Sequence, residues 1–199
     1  MSSKLIVKSH PLNYQLQDNS CWATSMINAA FVCSRNTRGN TVIPNSFVSL
    51  LFNLTTDEGV YNIAAEAFYV IFKNENKTRK ILNNIGCSKL SGEKVTSRVF
   101  QNFFKNYKKC AIVCDVQSGC HSVLITNYND GYFWLFDPSW DNIKTPKKTL
   151  NWSCDPEWVY DSVQHNVKVK STTLFGGNSN LYSMGIDKHK FALVFFRIP

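Results

Sequence analysis

A chain of 199 residues, 44% hydrophobic and 14% aromatic, can build one sizeable core and is too short for two ordinary domains, so residues 1–199 are expected to form a single domain. Charged residues make up only 18%, which excludes a largely disordered chain. The net charge of +8 favours acidic partners. The basic residues nevertheless sit in small groups such as Lys108-Lys109 and Lys147-Lys148, with no long Lys/Arg block, zinc-finger spacing or RNA-binding aromatic signature, so nucleic acid is not the expected partner.

Residues 1–20 read as an extended lead-in broken by Pro11. From Cys21 to Cys33, apolar Trp22, Met26, Ala29 and Ala30 recur near the helical period, with Asn19 or Ser20 as N-cap, so Cys21 opens a buried helix. Helical spacing also runs from Pro44 to Leu54, Asp57 to Lys73, Lys77 to Ile85 with a stop at Gly86, and Glu93 to Lys108. In the last of these Val95, Val99, Phe103 and Tyr107 line one face.

At Cys110 the pattern turns to β-branched and aromatic runs: Cys110 to Val116, His121 to Tyr128 and Tyr132 to Phe136. Asn129-Asp130-Gly131 predicts a tight hairpin between the last two, because Asp-Gly supplies the positive φ values such a turn needs. Trp158 to Lys170 reads as a further strand or pair, Gly176 to Gly185 as a loop, and Phe191 to Ile198 as a closing strand. The predicted fold is α+β, an N-terminal helical half packed on a C-terminal antiparallel sheet.

The seven cysteines are an odd set without framework spacing, so at least one thiol is free. Met1 to Leu12 has no apolar segment of the secretory kind, and no run of about 18 apolar residues exists to span a bilayer. The expectation is a soluble protein made in a reducing compartment, either retained in the cytoplasm or exported by a specialised secretion machine that needs no Sec signal.

Three features then converge. Cys21 lies at the first turn of a helix, where unpaired N–H groups and the positive dipole end favour a thiolate. His121, 100 residues later, heads a strand that can hold an imidazole against that terminus. Asp137 ends the partner strand of the hairpin, from which one carboxylate can fix the imidazole tautomer. A turn centred on Asp130-Gly131 pairs Asn129 with Tyr132, sets Val123 or Leu124 near Asp137 and Pro138, and leaves His121 just beyond, an offset that long side chains can cover, particularly where the strands splay or a bulge intervenes. Cys33, Cys87, Cys110, Cys114 and Cys154 read as core side chains. Cys120 lacks the paired spacing of a zinc ligand, and His10, His165 and His189 read as surface or structural residues.

Gln15 and Gln17 ahead of Ser20-Cys21-Trp22-Ala23, then His121-Ser122-Val123-Leu124, then Phe136-Asp137-Pro138-Ser139-Trp140, stand in an order that resembles the papain-like cysteine peptidase superfamily. Asp137 in place of the papain-type Asn is closer to the bacterial papain-like and C39-like branches, which include effector proteases that pathogens deliver into host cells. The likeness covers roughly residues 13–35 and 110–140. It implies catalysis by Cys21, His121 and Asp137, an oxyanion hole from the backbone N–H of Cys21 with Gln15 or alternatively Gln17, and Trp140 shielding the His121–Asp137 bond from water. It implies no metal or organic cofactor, and a monomer acting on a protein substrate, one with an acidic surface suiting the chain's charge. The same triad also serves a cysteine acyltransferase, an amidase or a transglutaminase-like enzyme, and the scaffold alone could serve as a non-catalytic binding module. The Gly-rich substrate-strand motif of the family is not visible after the first helix.

Overall fold

The computed structural model describes residues 21–34, 85–117, 121–139, 157–158, 165–177, 181–186 and 190–197. Their elements in chain order are α1 (Cys21–Ser34), β1 (Ile85–Ser91), a 3-10 turn (Gly92–Lys94), α2 (Ser97–Asn106), β2 (Cys110–Val116), β3 (His121–Asn129), β4 (Tyr132–Phe136), β5 (Glu157–Trp158), β6 (Val167–Lys170), α3 (Ser171–Leu174) and β7 (Phe191–Arg197). The strands form one sheet in the order β1-β7-β2-β3-β4-β6-β5, each antiparallel to its neighbours. The fold is α+β.

All seven residues of β2 are buried, because this central strand is covered on both faces and its sequence is accordingly a near-continuous apolar run. Its side chains alternate between two cores. Ala111 and Val113 point to a cluster with Trp22, Met26 and Ala30 of α1, joined by Leu124, Phe136, Leu193 and Phe195. Ile112 and Cys114 point to the opposite cluster, where Phe100 of α2 meets Ile125, Phe133, Leu135 and Val194. The sheet therefore lies between α1 on one side and α2 with α3 on the other. Every residue from 21 to 30 is buried, as befits a helix with apolar or small side chains all round.

Two expectations are corrected here. The predicted helix from Lys77 to a stop at Gly86 does not extend to its end: Ile85 and Gly86 open β1. Gly86 is a strand glycine set directly opposite Phe196, and a Cβ built on it would meet that ring at 2.5 Å, so the residue makes room for an aromatic neighbour. With β1 preceding α2, helical and sheet segments interleave along the chain. The helix predicted over Glu93 to Lys108 is shorter, starting after Thr96, whose hydroxyl accepts from Val99 N at 3.3 Å. Its deepest side chain is Phe100, off the predicted stripe. The predicted helices Pro44 to Leu54 and Asp57 to Lys73 lie outside the described residues, as do positions 77–84.

The β3–β4 hairpin turns at Asp130 and Gly131, with φ of 51° and 82°, as the two-residue turn requires. Asn129 pairs with Tyr132, but a bulge between Ile125 and Asn127 then shifts the pairing so that Leu124 faces Phe136. Thr126 is the extra residue; its hydroxyl donates to the Trp134 carbonyl at 3.2 Å and so occupies the interrupted ladder. The shift brings Asp137 one residue nearer to His121 than an uninterrupted ladder would.

Candidate active site

Cys21 stands at the N-terminus of α1, His121 at the start of β3 and Asp137 immediately after β4, so all three meet at one end of the sheet. His121 Nε2 lies 2.8 Å from Asp137 Oδ1, and the Cys21 side chain is close enough to the same ring to favour its protonated form. With Nε2 engaged by the carboxylate, Nδ1 is the ring nitrogen left to face the sulfur. A neutral imidazole held this way carries its proton on Nε2 and turns a lone pair toward the thiol. Cys21 is 7% exposed and the His121 side chain 12%, so the pair touches solvent only at its edge.

Asp137 is 1% exposed, and a carboxylate that deep needs several donors. It has them. Oδ1 accepts from His121 and from the backbone N–H of Ser139 at 2.8 Å, and Oδ2 accepts from the Tyr182 hydroxyl at 2.8 Å. The backbone of the same residue is gripped by Asn166, whose Oδ1 accepts from Asp137 N at 2.7 Å while its Nδ2 donates to Asp137 O at 2.9 Å. Tyr182 is buried, and burial together with the nearby Asp137 charge keeps its phenol firmly protonated, hence a donor.

Burial alone would push the imidazole of His121 down, but the Asp137 and Cys21 side chains more than offset it and hold its pKa at about 10. The site thus favours an imidazolium between two partners that carry or can carry negative charge. Elsewhere burial dominates: Cys33, Cys87, Cys110 and Cys114 are all pushed above the ordinary thiol range, consistent with packing roles in the two cores. His165 packs edge-on against Trp134 with ring centroids 4.4 Å apart.

No protein-family model matches the chain, and no curated protein or solved structure matches it either. What the site can do therefore rests on its own geometry.

Of the residues singled out in the sequence, Cys21, His121 and Asp137 are brought together. Gln15, Gln17, Trp140, Cys120, Cys154, His10 and His189 lie outside the described residues. Sequence reasoning missed Tyr182, Asn166 and Ser139, which fix the carboxylate, and Asp115, which lies beneath the site. Asp115 did leave a signal, a lone acid within an otherwise apolar strand. Tyr182 and Asn166 sit in irregular segments where spacing carries no information. Among the described residues no group of three or more His, Cys, Asp or Glu side chains gathers as a metal site, and no helix is long and apolar enough to cross a membrane.

Proposed function

We propose that this chain is a papain-like cysteine hydrolase that cleaves a peptide bond in a protein substrate. The observation that carries the reading is the meeting of the Cys21 side chain with a His121 ring whose Nε2 is hydrogen-bonded to the buried Asp137 carboxylate. A thiol alone at a helix terminus would be weak support; a thiol paired with an imidazole whose far nitrogen is fixed by a buried carboxylate is the arrangement that nucleophilic catalysis requires.

In this reading the Cys21 sulfur attacks the scissile carbonyl carbon, forming a C–S bond as the carbonyl π pair moves to oxygen. The backbone N–H of Cys21 and the side-chain amide of Gln15, or Gln17 in its stead, stabilise that oxyanion. The C–N bond then breaks, and the His121 imidazolium gives its proton to the departing amine. The resulting thioester is attacked by water, which passes a proton to the now neutral His121; the C–S bond breaks, the acid product leaves and the thiolate–imidazolium pair is restored. Asp137 keeps the ring in the plane and tautomer that both proton transfers use, a bond that by the resemblance Trp140 would shield. The net charge of +8 fits a substrate with an acidic face. The Asp-Pro-Ser-Trp form of the motif favours a host-delivered effector protease as the biological setting.

The test is N-terminal proteomics on candidate lysates, with wild-type protein against Cys21→Ala. New protein N-termini that appear only with the wild type are expected. Glutamine or amine modification without cleavage would replace hydrolysis with acyl transfer, and identical lysates, together with no labelling of Cys21 by a thiol-directed acylating probe, would remove the enzymatic reading.

A further inference from the structure

Beneath the triad lies a second buried carboxyl group. Asp115, in the otherwise apolar strand β2, is 8% exposed and sits directly opposite Ser122 in the β2–β3 ladder. Its Oδ1 accepts from the Ser122 hydroxyl at 2.8 Å, and the Trp22 indole N–H is close enough to favour its charged form. The chain neighbours of these donors matter: Trp22 follows Cys21, and Ser122 follows His121. One carboxylate thereby holds both the residue after the nucleophile and the residue after the base. A second link parallels it, for the Ser25 hydroxyl donates to the Ser122 carbonyl at 3.4 Å, tying the second turn of α1 to the same point of β3.

A core designed only for stability would fill this position with an apolar side chain, because burying a carboxylate is costly unless its partners compensate. Trp22 is already fixed by the α1 core and by its tilted contact with Phe191, ring centroids 5.7 Å apart, so its indole needs no acid to stay buried. What the acid adds is direction, since a hydrogen bond fixes the indole edge and the Ser122 rotamer at once.

We propose that Asp115 is a positioning residue for the reaction, acting through Trp22 and Ser122 to set the approach of the Cys21 sulfur to the His121 ring. The inference rests on the hydrolase reading. Asp115 meets the Trp22 indole from α1, the Ser122 hydroxyl and the charge of His121 from β3, and Cys114 precedes it on its own strand. Burial raises its carboxyl to about 7, with Ser122, Trp22 and His121 working in the opposite direction. Above that pH both donors meet a carboxylate; below it the group takes a proton, turns one oxygen into a donor and relaxes its hold. The alignment of sulfur and ring is therefore tuned across neutral pH by a group that touches neither substrate nor reacting atoms.

The experiment is the rate of Cys21 alkylation by iodoacetamide from pH 5 to 9, followed by peptide mass spectrometry so that each cysteine is read separately. Asp115→Asn is expected to slow Cys21 alkylation about tenfold at pH 7.5, the scale on which small displacements of reacting groups act, and to remove a step near pH 7 from the wild-type profile. Trp22→Phe keeps the packed ring and deletes only the indole donor; it is expected to slow the reaction in the same direction with an unchanged circular dichroism spectrum, and it carries the test if Asp115→Asn fails to fold. A folded Asp115→Asn or Trp22→Phe protein that alkylates like wild type at every pH, while His121→Ala is slow, overturns this inference and leaves the triad standing. If His121→Ala also alkylates like wild type, the hydrolase reading falls and this role falls with it.

Discussion

The hydroxyl of Tyr182 donates to Oδ2 of Asp137 at 2.8 Å, the carboxylate oxygen that His121 does not use. The two residues are 45 positions apart, so a loop beyond the sheet closes the carboxylate's coordination from behind. Removing the hydroxyl in Tyr182→Phe strips a hydrogen bond to a buried charged group and should cost about 1.5–3 kcal/mol. Urea denaturation measures it. Cys21 alkylation should slow as well, because the carboxylate gains freedom to rotate away from the ring; a variant with wild-type stability would show that the bond contributes nothing.

Asn166 makes a different demand. Its side chain satisfies both the N–H and the C=O of Asp137, and Asn166→Ala would leave two buried backbone groups without a partner. A loss of at least about 2 kcal/mol is expected at the low end for two such groups, read from the shift in urea midpoint at constant slope. Asn166→Asp is a sharper variant, since it retains the acceptor for Asp137 N but removes the donor to Asp137 O and brings a second carboxylate to the site.

The pH dependence of stability follows from His121. Its pKa rises from 6.5 to about 10 on folding, so the folded state binds the proton more tightly. That contribution is fully present below 6.5 and is lost as the pH climbs through 10. Melting temperatures across this window should fall more steeply for the wild type than for His121→Ala, and equal slopes would contradict the ion-paired ring. Asp137→Asn removes one of the charges that hold the proton, so the ring should titrate lower, as nitrogen-15 NMR of His121 would register. Asp115 acts with the same sign at lower pH: raised from 3.8 to about 7, it favours the folded chain while protonated and loses that benefit as the pH rises to 7.

Gly86 offers a test of the sheet remote from the chemistry. Phe196 lies across from it and stacks on Tyr107, ring centroids 4.5 Å apart, which restricts where the ring can move. Gly86→Ala should destabilise by about 1–3 kcal/mol through overpacking, without altering the alkylation rate of Cys21. A neutral effect would mean that Phe196 and Tyr107 shift together.

That Cys21, His121 and Asp137 come together was legible because each carries a local signal: a thiol opening an apolar helix, an imidazole heading an alternating strand, an acid closing the hairpin signalled by Asp130-Gly131. The supporting residues were not. Tyr182 and Asn166 act through contacts 45 and 29 positions distant, and nothing in their neighbourhood is periodic. Gly86 was read as a helix stop because glycine ends helices and relieves strands alike, and only the ring of Phe196 across the ladder tells the two apart. Phe100 was not part of the expected stripe because Val95 lies before the helix, which leaves the face set by Phe100, Phe103, Phe104 and Tyr107 as the one packed on the sheet.

The extra residue at Thr126 separates the hairpin into an inner part and an outer part. Lengthening both strands equally at the tip would add pairs at the far end and leave sulfur, ring and carboxylate in place, so the outer part is free to vary. Taking Thr126 into the ladder as an ordinary paired residue would instead set Asp137 one step back along β3, opposite Leu124, and turn its side chain to the other face of the sheet. The reach of the carboxylate is thus metered by one threonine in the middle of a strand, and the turn that makes the hairpin has no say in it.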